Sequence, residues 1–207
     1  MKFGIIAAME EELKTLLLTL EDKKEVVVLG KTYYEGRIGQ HEVVLVQSGI
    51  GKVMSAMSVA ILAETFGVDA IINTGSAGAV SEGLAIGDVV IADRLVYHDV
   101  DVTAFSYAYG QMAGQELYFL ADSDLMAKLQ AVLAQEGQES HRGLIATGDS
   151  FIADPDRVAA IKHHFPEVLA VEMEGAAIAQ AAQAAGKPFL VIRAMSDTAQ
   201  GDANISF

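Results

Sequence analysis

The chain contains no cysteine, which excludes disulfides and thiolate chemistry and suits the cytosol. It is also poor in basic side chains. Lys plus Arg number 14 against 28 Asp plus Glu, a formal net charge of -14. Such a field repels nucleic acid and anionic membrane, so neither is an expected partner. It disfavours polyanionic substrates outside a local basic pocket. No apolar run approaches the length of a membrane span. The apolar stretch Met1–Met9 is too short for a signal peptide and runs straight into Glu10-Glu11-Glu12. A cytoplasmic protein is expected. His41, His98, His141, His163 and His164 show no metal-ligand spacing, so neither a metal nor a cofactor is expected. His163-His164 reads as an exposed helix end, where the dipole favours cations.

What the chain does have is core-forming material. Hydrophobic residues are 52% of its 207 residues, enough for one domain of fair size. Residues 2–8 read as a buried strand. Glu10 to Leu20 reads as a helix with Met9, Leu13, Leu16, Leu17 and Leu20 on one face. Its first turn holds three glutamates, where the dipole favours negative charge. Further strands are expected at Val26–Leu29, Tyr33–Ile38, Glu42–Gln47, Asp69–Asn73, Gly87–Ala92, Leu95–His98, Gly143–Thr147, Val168–Val171 and Phe189–Ala194. Helices are expected over about 53–66, from Asp122 or Ser123 to Glu136, after Asp154-Pro155, and from about Glu174 to Ala185. Asp99 to Leu117 is the longest irregular stretch, and such loops are often functional. Strands alternate with helices around one hairpin-like patch. The expected class is α/β, a three-layer α/β/α sandwich on a central mixed β-sheet.

The acids fall in a pattern. Val171-Glu172-Met173-Glu174-Gly175 and Ile192-Arg193-Ala194-Met195-Ser196-Asp197 each place carboxylates at the end of a short apolar run. Met9-Glu10-Glu11-Glu12 follows a third such run, Phe3–Ala8. In an α/β protein run ends are where strands hand over to loops or helices, and ligands bind along that edge. Two glycine segments accompany them. Gly49-Ile50-Gly51-Lys52 lacks the gap and the Lys-Ser/Thr ending of a P-loop, so a tight strand-to-helix turn is the plainer reading. Gly75-Ser76-Ala77-Gly78 ends a strand with small residues, which let a ligand lie against bare backbone N–H groups, and Ser76 adds a hydroxyl.

Taken with Thr147-Gly148-Asp149-Ser150-Phe151-Ile152 and Tyr97-His98-Asp99-Val100-Asp101-Val102-Thr103-Ala104-Phe105, these segments closely resemble the bacterial 5'-methylthioadenosine/S-adenosylhomocysteine nucleosidases. The resemblance spans residues 1–207 as a single nucleosidase domain. It implies the nucleoside phosphorylase fold, a homodimer, and hydrolysis of an N-glycosidic bond to adenine and a 5-substituted ribose, in methionine salvage and by-product recycling. By this resemblance Glu12 handles the nucleophilic water and Asp197 protonates the adenine. Met173 and Glu174 hold the ribose, backbone at Gly78 and Ile152 contacts the ligand, and Phe151 stacks on the base. Ser76, Arg193 and Ser196 are further candidate contacts. Met9, Ile50, Val102, Phe105, Met173 and Phe207 offer an apolar wall suited to an alkylthio group, with Val102 and Phe105 donated by the neighbouring subunit. Relatives carry a proline where Ala113 stands, which softens that subunit-crossing part. They also continue into a further helix, so the domain as given is expected to lack it.

The chemistry asks for such residues. Breaking a ribosyl–adenine bond builds positive charge on the sugar and negative charge on the base. One acid must neutralise the base while another readies water on the opposite face of the sugar, as in glycoside hydrolysis. A free Asp, with a pKa of about 3.9, is ionised at neutral pH, so Asp197 needs burial or a proton shared with the base. An ionised Glu174 accepts from both ribose hydroxyls and favours a cationic sugar. A carboxylate at Glu12 repels phosphate and suits water, so hydrolysis is expected over phosphorolysis. Read singly, each residue has a plainer role. Glu12 is then a helix-dipole partner, and Asp197 a helix N-cap. Arg193 either anchors the water-side carboxylates beside Ser76 or forms a buried ion pair, with Glu172, that holds the sheet end together. Another purine nucleosidase or phosphorylase, or a non-catalytic nucleoside binder, are the rival readings.

Overall fold

The computed structural model describes residues 1–199, which build ten strands and five α-helices. The order opens β1 (Lys2–Ala7), α1 (Glu10–Thr19), β2 (Glu21–Val28), β3 (Lys31–Ile38), β4 (His41–Gln47), α2 (Lys52–Glu64), β5 (Ala70–Ala79) and β6 (Val89–Tyr97). A single 3-10 turn at Thr103–Phe105 interrupts the long loop before β7 (Phe119–Leu120). Then come α3 (Ser123–Gln135), β8 (Ser140–Thr147), α4 (Pro155–His164), β9 (Val168–Glu172), α5 (Gly175–Ala184) and β10 (Phe189–Thr198). None of the described helices is long and apolar enough to cross a membrane.

All ten strands form one mixed sheet. β5, β10, β6, β8 and β9 close into a ring, because β9 returns to pair antiparallel with the far end of β5. From β5 the sheet runs outward through β1, β4 and β3 to β2, while β7 sits on β6. Alternation in β1 and β4 explains the layers. Ala7, Val43 and Leu45 pack against Leu13, Leu16 and Leu17 of α1. Ile6, Val44 and Val46 turn the other way, onto Val59, Ile61 and Leu62 of α2. Helix α2 also packs on α5, whose Ala-rich face allows close approach. Helix α3 lays Met126 and its leucines on Ile91 and Leu190. The three-layer α/β/α arrangement is thus the one expected. Each fully buried leucine, such as Leu45 or Leu62, contributes about 2 kcal/mol of burial.

Four expected elements differ. Strand β2 starts at Glu21, not Val26, because the charged run Glu21–Glu25 forms an exposed sheet edge. The strands expected at Gly87–Ala92 and Leu95–His98 are one, β6, whose register shifts between Ala92 and Arg94. The segment Thr74–Ala79 is not a strand end but the second half of β5, paired with β10 and β9. Likewise β10 runs past Ala194 to Thr198, so Asp197 sits within a strand rather than at a helix N-cap. Extended pairing by distant segments overrides the turn propensity of glycine there.

Candidate active site

The first turn of α1 fixes Glu12. At the third helical position its Oε2 accepts from the backbone N–H groups of Ala8 (2.9 Å) and Met9 (3.1 Å). That is the capping arrangement a helix N-terminus requires. Its Oε1 faces β5 and accepts from the Ser76 N–H and Oγ–H, both at 3.0 Å. Glu12 therefore holds the helix start and belongs to the site as well.

The end of β9 fixes Glu174 through Glu172. The buried Glu172 accepts from the N–H groups of Glu174 (3.1 Å) and Gly175 (2.7 Å) and from the Thr147 hydroxyl. Thr147 Oγ1 in turn accepts from Ala176 N–H at 2.8 Å, so two side chains serve the exposed N–H groups of α5. A Cβ at Gly175 would lie 2.6 Å from Leu95 Cδ2 and 3.1 Å from both Glu172 oxygens, which is why glycine follows Glu174. Glu174 Oε1 accepts from Gly51 N–H at 3.0 Å, across the turn that starts α2. That turn is the tight one expected, with Gly49 and Gly51 at φ of 83° and 96°. Burial pushes the Glu174 carboxyl up to about 7. Arg193 pulls against this, and Glu172 and Glu12 reinforce it. The ionised state expected for Glu174 thus holds only above that pH.

Arg193 is the polar centre beneath the site, at 1% exposure. Its Nη2 pairs with Glu172, donates to Asn73 Oδ1 at 2.7 Å, and lies 3.5 Å from Glu174 Oε2. Burial opposes its charge, but Glu172, Glu174 and Glu12 outweigh that and raise its pKa. Gly75 makes room for it: a Cβ there would run into Nη1 and sit 2.9 Å from Glu12 Oε1. Arg193 is ion-paired with Glu172 and stands behind the carboxylates of the site.

Asp197 is buried, and its Oδ1 accepts from the Ser196 hydroxyl at 2.9 Å. The β5–β10 register jumps at this point, with Met195 opposite Ala77 and Asp197 opposite Gly78. Ser196 is the extra residue of a β-bulge. A Cβ at Gly78 would lie 3.1 Å from Asp197 Oδ2, so the small residue leaves the carboxylate space.

These acids meet in one cavity of about 170 Å³. Glu12, Glu174 and Asp197 line it, together with Ser76, Gly78 and Ser196. Met9, Ile50, Phe151, Ile152 and Met173 supply its apolar walls. Arg193 does not line it but lies behind. Val102 and Phe105 are not in the cavity of this chain either: Val102 packs against the main core, and Phe105 is 77% exposed. Phe207 lies outside the described residues. Three contributors escaped the sequence reading. Thr147 and Asn73 brace the ionic centre, and Asp149 Oδ1 accepts the Lys52 N–H at the start of α2 (2.8 Å). The signals available were an asparagine closing the apolar run Ala70–Asn73 and the place of Thr147 and Asp149 in the segment Thr147–Ile152.

A family model, that of the phosphorylase superfamily, matches residues 2–206. A 5'-methylthioadenosine/S-adenosylhomocysteine nucleosidase of Geobacillus thermodenitrificans is 50% identical, over 100% of this chain and 88% of that protein. The chain belongs to the 5'-methylthioadenosine/S-adenosylhomocysteine nucleosidases of the phosphorylase superfamily. Solved members of this nucleosidase family share its fold closely. The Streptococcus pyogenes S-adenosylhomocysteine nucleosidase in complex with 5-methylthiotubericidin is 68% identical with a TM-score of 0.96, covering 99% of this chain and 86% of that one. The Streptococcus pneumoniae nucleosidase with the transition-state inhibitor MT-ImmA is 69% identical with a TM-score of 0.95, over 99% of this chain and 89% of that one.

Proposed function

We propose that this chain hydrolyses the N-glycosidic bond of 5'-methylthioadenosine, S-adenosylhomocysteine and 5'-deoxyadenosine, releasing adenine and the 5-substituted ribose. The observation that carries this reading is the meeting of Glu12, Glu174 and Asp197 in one apolar-walled cavity. Asp197 gives a proton to the purine, so the electron pair of the breaking C–N bond leaves on a neutral base. Glu12 takes a proton from water as the water oxygen bonds to the anomeric carbon. Glu174, ionised, accepts from the ribose hydroxyls and favours the cationic sugar electrostatically. Phe151 stacks on the base, backbone at Gly78 and Ile152 contacts the ligand, and Met9, Ile50 and Met173 face the alkylthio end. The carboxylate of Glu12 favours water over phosphate as nucleophile.

The proposed working form is a cytoplasmic homodimer in which Val102 and Phe105 of one subunit complete the pocket of the other. Val53, Met54 and Met57 of α2 and, elsewhere in the chain, Phe105 are exposed apolar side chains open to such a contact. Activity serves methionine salvage and recycling of S-adenosylmethionine by-products. The test is adenine release from methylthioadenosine, followed chromatographically with and without phosphate. Equal rates and free methylthioribose are expected. A phosphate requirement and a ribose 1-phosphate product would overturn the assignment.

A further inference from the structure

Helix α2 begins without an acid of its own. Gly51, at φ of 96°, has no side chain to cap it, and the first turn opens on a cation, Lys52. A helix N-terminus favours the opposite charge, so Lys52 does not serve the stability of that helix. Acids from three distant segments supply what is missing. Glu174 Oε1 accepts from the Gly51 N–H at 3.0 Å, Asp149 Oδ1 from the Lys52 N–H at 2.8 Å, and Asp99 Oδ1 from Lys52 Nζ at 2.8 Å. The same ammonium stands 4.9 Å from the centre of the Tyr97 ring.

Asp149 is itself fixed from behind. Its N–H donates to Asp99 Oδ2 at 2.9 Å, and the N–H of Gly148 donates to the Glu172 carbonyl at 3.2 Å. The imidazole of His98 packs on Gly148, where a Cβ would collide with it. On the other side, a Cβ at Gly51 would lie 3.1 Å from Asp149 Oδ1, so glycine lets the carboxylate reach the helix. Asp99 therefore accepts from both ends of the Asp149–Lys52 contact. Burial alone would raise the Asp99 carboxyl, but those two donors hold it below the usual range.

The contact joins two walls of the acid-lined cavity. Ile50 lies two residues before Lys52, and Phe151 two residues after Asp149. Both line that cavity, and both are more than half exposed, at 57% and 54%. Asp149 and Lys52 do not line it. We propose that Asp149 is a positioning residue for the substrate, holding the Ile50 wall at a fixed distance from the Phe151 wall. The inference rests on the nucleosidase reading above, in which the purine lies on Phe151 and the alkylthio end faces Ile50. A nucleoside spans both walls and gains from their being held together, whereas adenine touches one. With the contact broken, binding must order the turn at residues 49–51 itself. Glu12 and Asp197 are anchored on other elements and keep their aim.

The experiment compares the parent chain with Asp149→Ala and Asp149→Asn in methylthioadenosine hydrolysis, adenine calorimetry and amide hydrogen exchange. Asp149→Ala should raise KM for methylthioadenosine about tenfold, the order of what ordering a loosened turn costs. Its kcat and its adenine affinity should each stay within about twofold of the parent. Amides of residues 51–53 should exchange about tenfold faster, with the sheet protected as in the parent. Asp149→Asn keeps an acceptor for the Lys52 N–H, so it should bring KM and exchange back near the parent values. A fall in kcat with KM unchanged, adenine weakened as much as the nucleoside, exchange at 51–53 untouched by Asp149→Ala, or an Asp149→Asn variant as impaired as Asp149→Ala would each overturn the proposal. A parent that releases no adenine would instead overturn the nucleosidase reading, and the substrate role of Asp149 with it.

Discussion

Ser76 meets Glu12 twice, through its backbone N–H and its hydroxyl, both 3.0 Å from the same carboxylate oxygen. The other oxygen is held by the N–H groups of Ala8 and Met9. The base of the proposed reaction is therefore aimed by four donors, of which the Ser76 hydroxyl alone can turn aside for a water.

Ser76→Ala removes that movable donor and leaves the other three. The carboxylate stays in place, so kcat/KM should fall only about ten- to a hundredfold, the worth of one hydrogen bond to a charged group. Steady-state assay of adenine release reads this directly. A loss of several orders would mean that the hydroxyl does more than steady Glu12.

Removing the acids should cost far more. Glu12→Gln and Asp197→Asn each keep shape but replace one accepting oxygen by an NH2 group and cannot exchange a proton. Turnover should drop by about two to four orders of magnitude in each, the usual yield of general acid–base catalysis. Adenine affinity, measured by calorimetry, should change little in Glu12→Gln, since that side chain lies on the sugar side.

The Glu174 carboxyl, raised to about 7 by burial, predicts a pH effect of defined sign. Substrate binding should strengthen as pH rises through about 7, because only the ionised group accepts from both ribose hydroxyls. Stability of the free protein should run the other way. A folded-state pKa above the ordinary carboxylate value means the folded form holds the proton between about 4.5 and 7. The stabilisation from that proton is complete below this window and is lost as pH climbs through 7. Glu174→Gln should therefore gain in melting temperature relative to the parent between pH 6 and pH 8, while losing substrate affinity at pH 8.

Arg193 and Glu172 form a buried pair, so removing one partner strands a charge. Arg193→Met or Glu172→Gln alone should cost about 3–5 kcal/mol. The double variant should cost clearly less than the sum, which a double-mutant cycle in denaturant measures. Additive losses would show that the two act independently.

The sequence made some of this plain and concealed the rest, for physical reasons. Helix α1 is legible because Leu13, Leu16, Leu17 and Leu20 repeat at helical spacing and do pack on the sheet. The acids were legible as run ends, and four of them, Glu12, Glu172, Glu174 and Asp197, line the cavity. The strand character of Thr74–Ala79 was not, because glycine and serine have little strand preference and only pairing with β9 and β10 extends them. The edge strand at Glu21–Glu25 reads as a solvated charge run, which it also is. Thr147 and Asn73 could not be placed, since their partners lie 25 and 120 residues away in the chain. The roles proposed for Val102 and Phe105 would need a second subunit, on which a single chain carries no contacts.

Ordinary strand alternation sends neighbouring side chains to opposite faces, yet Ser196 and Asp197 both line the cavity, because Ser196 is supernumerary in β10. The aim of the proposed proton donor is thus written in a residue count, not in a residue type. Regular alternation through this stretch would let only one of the two face the cavity.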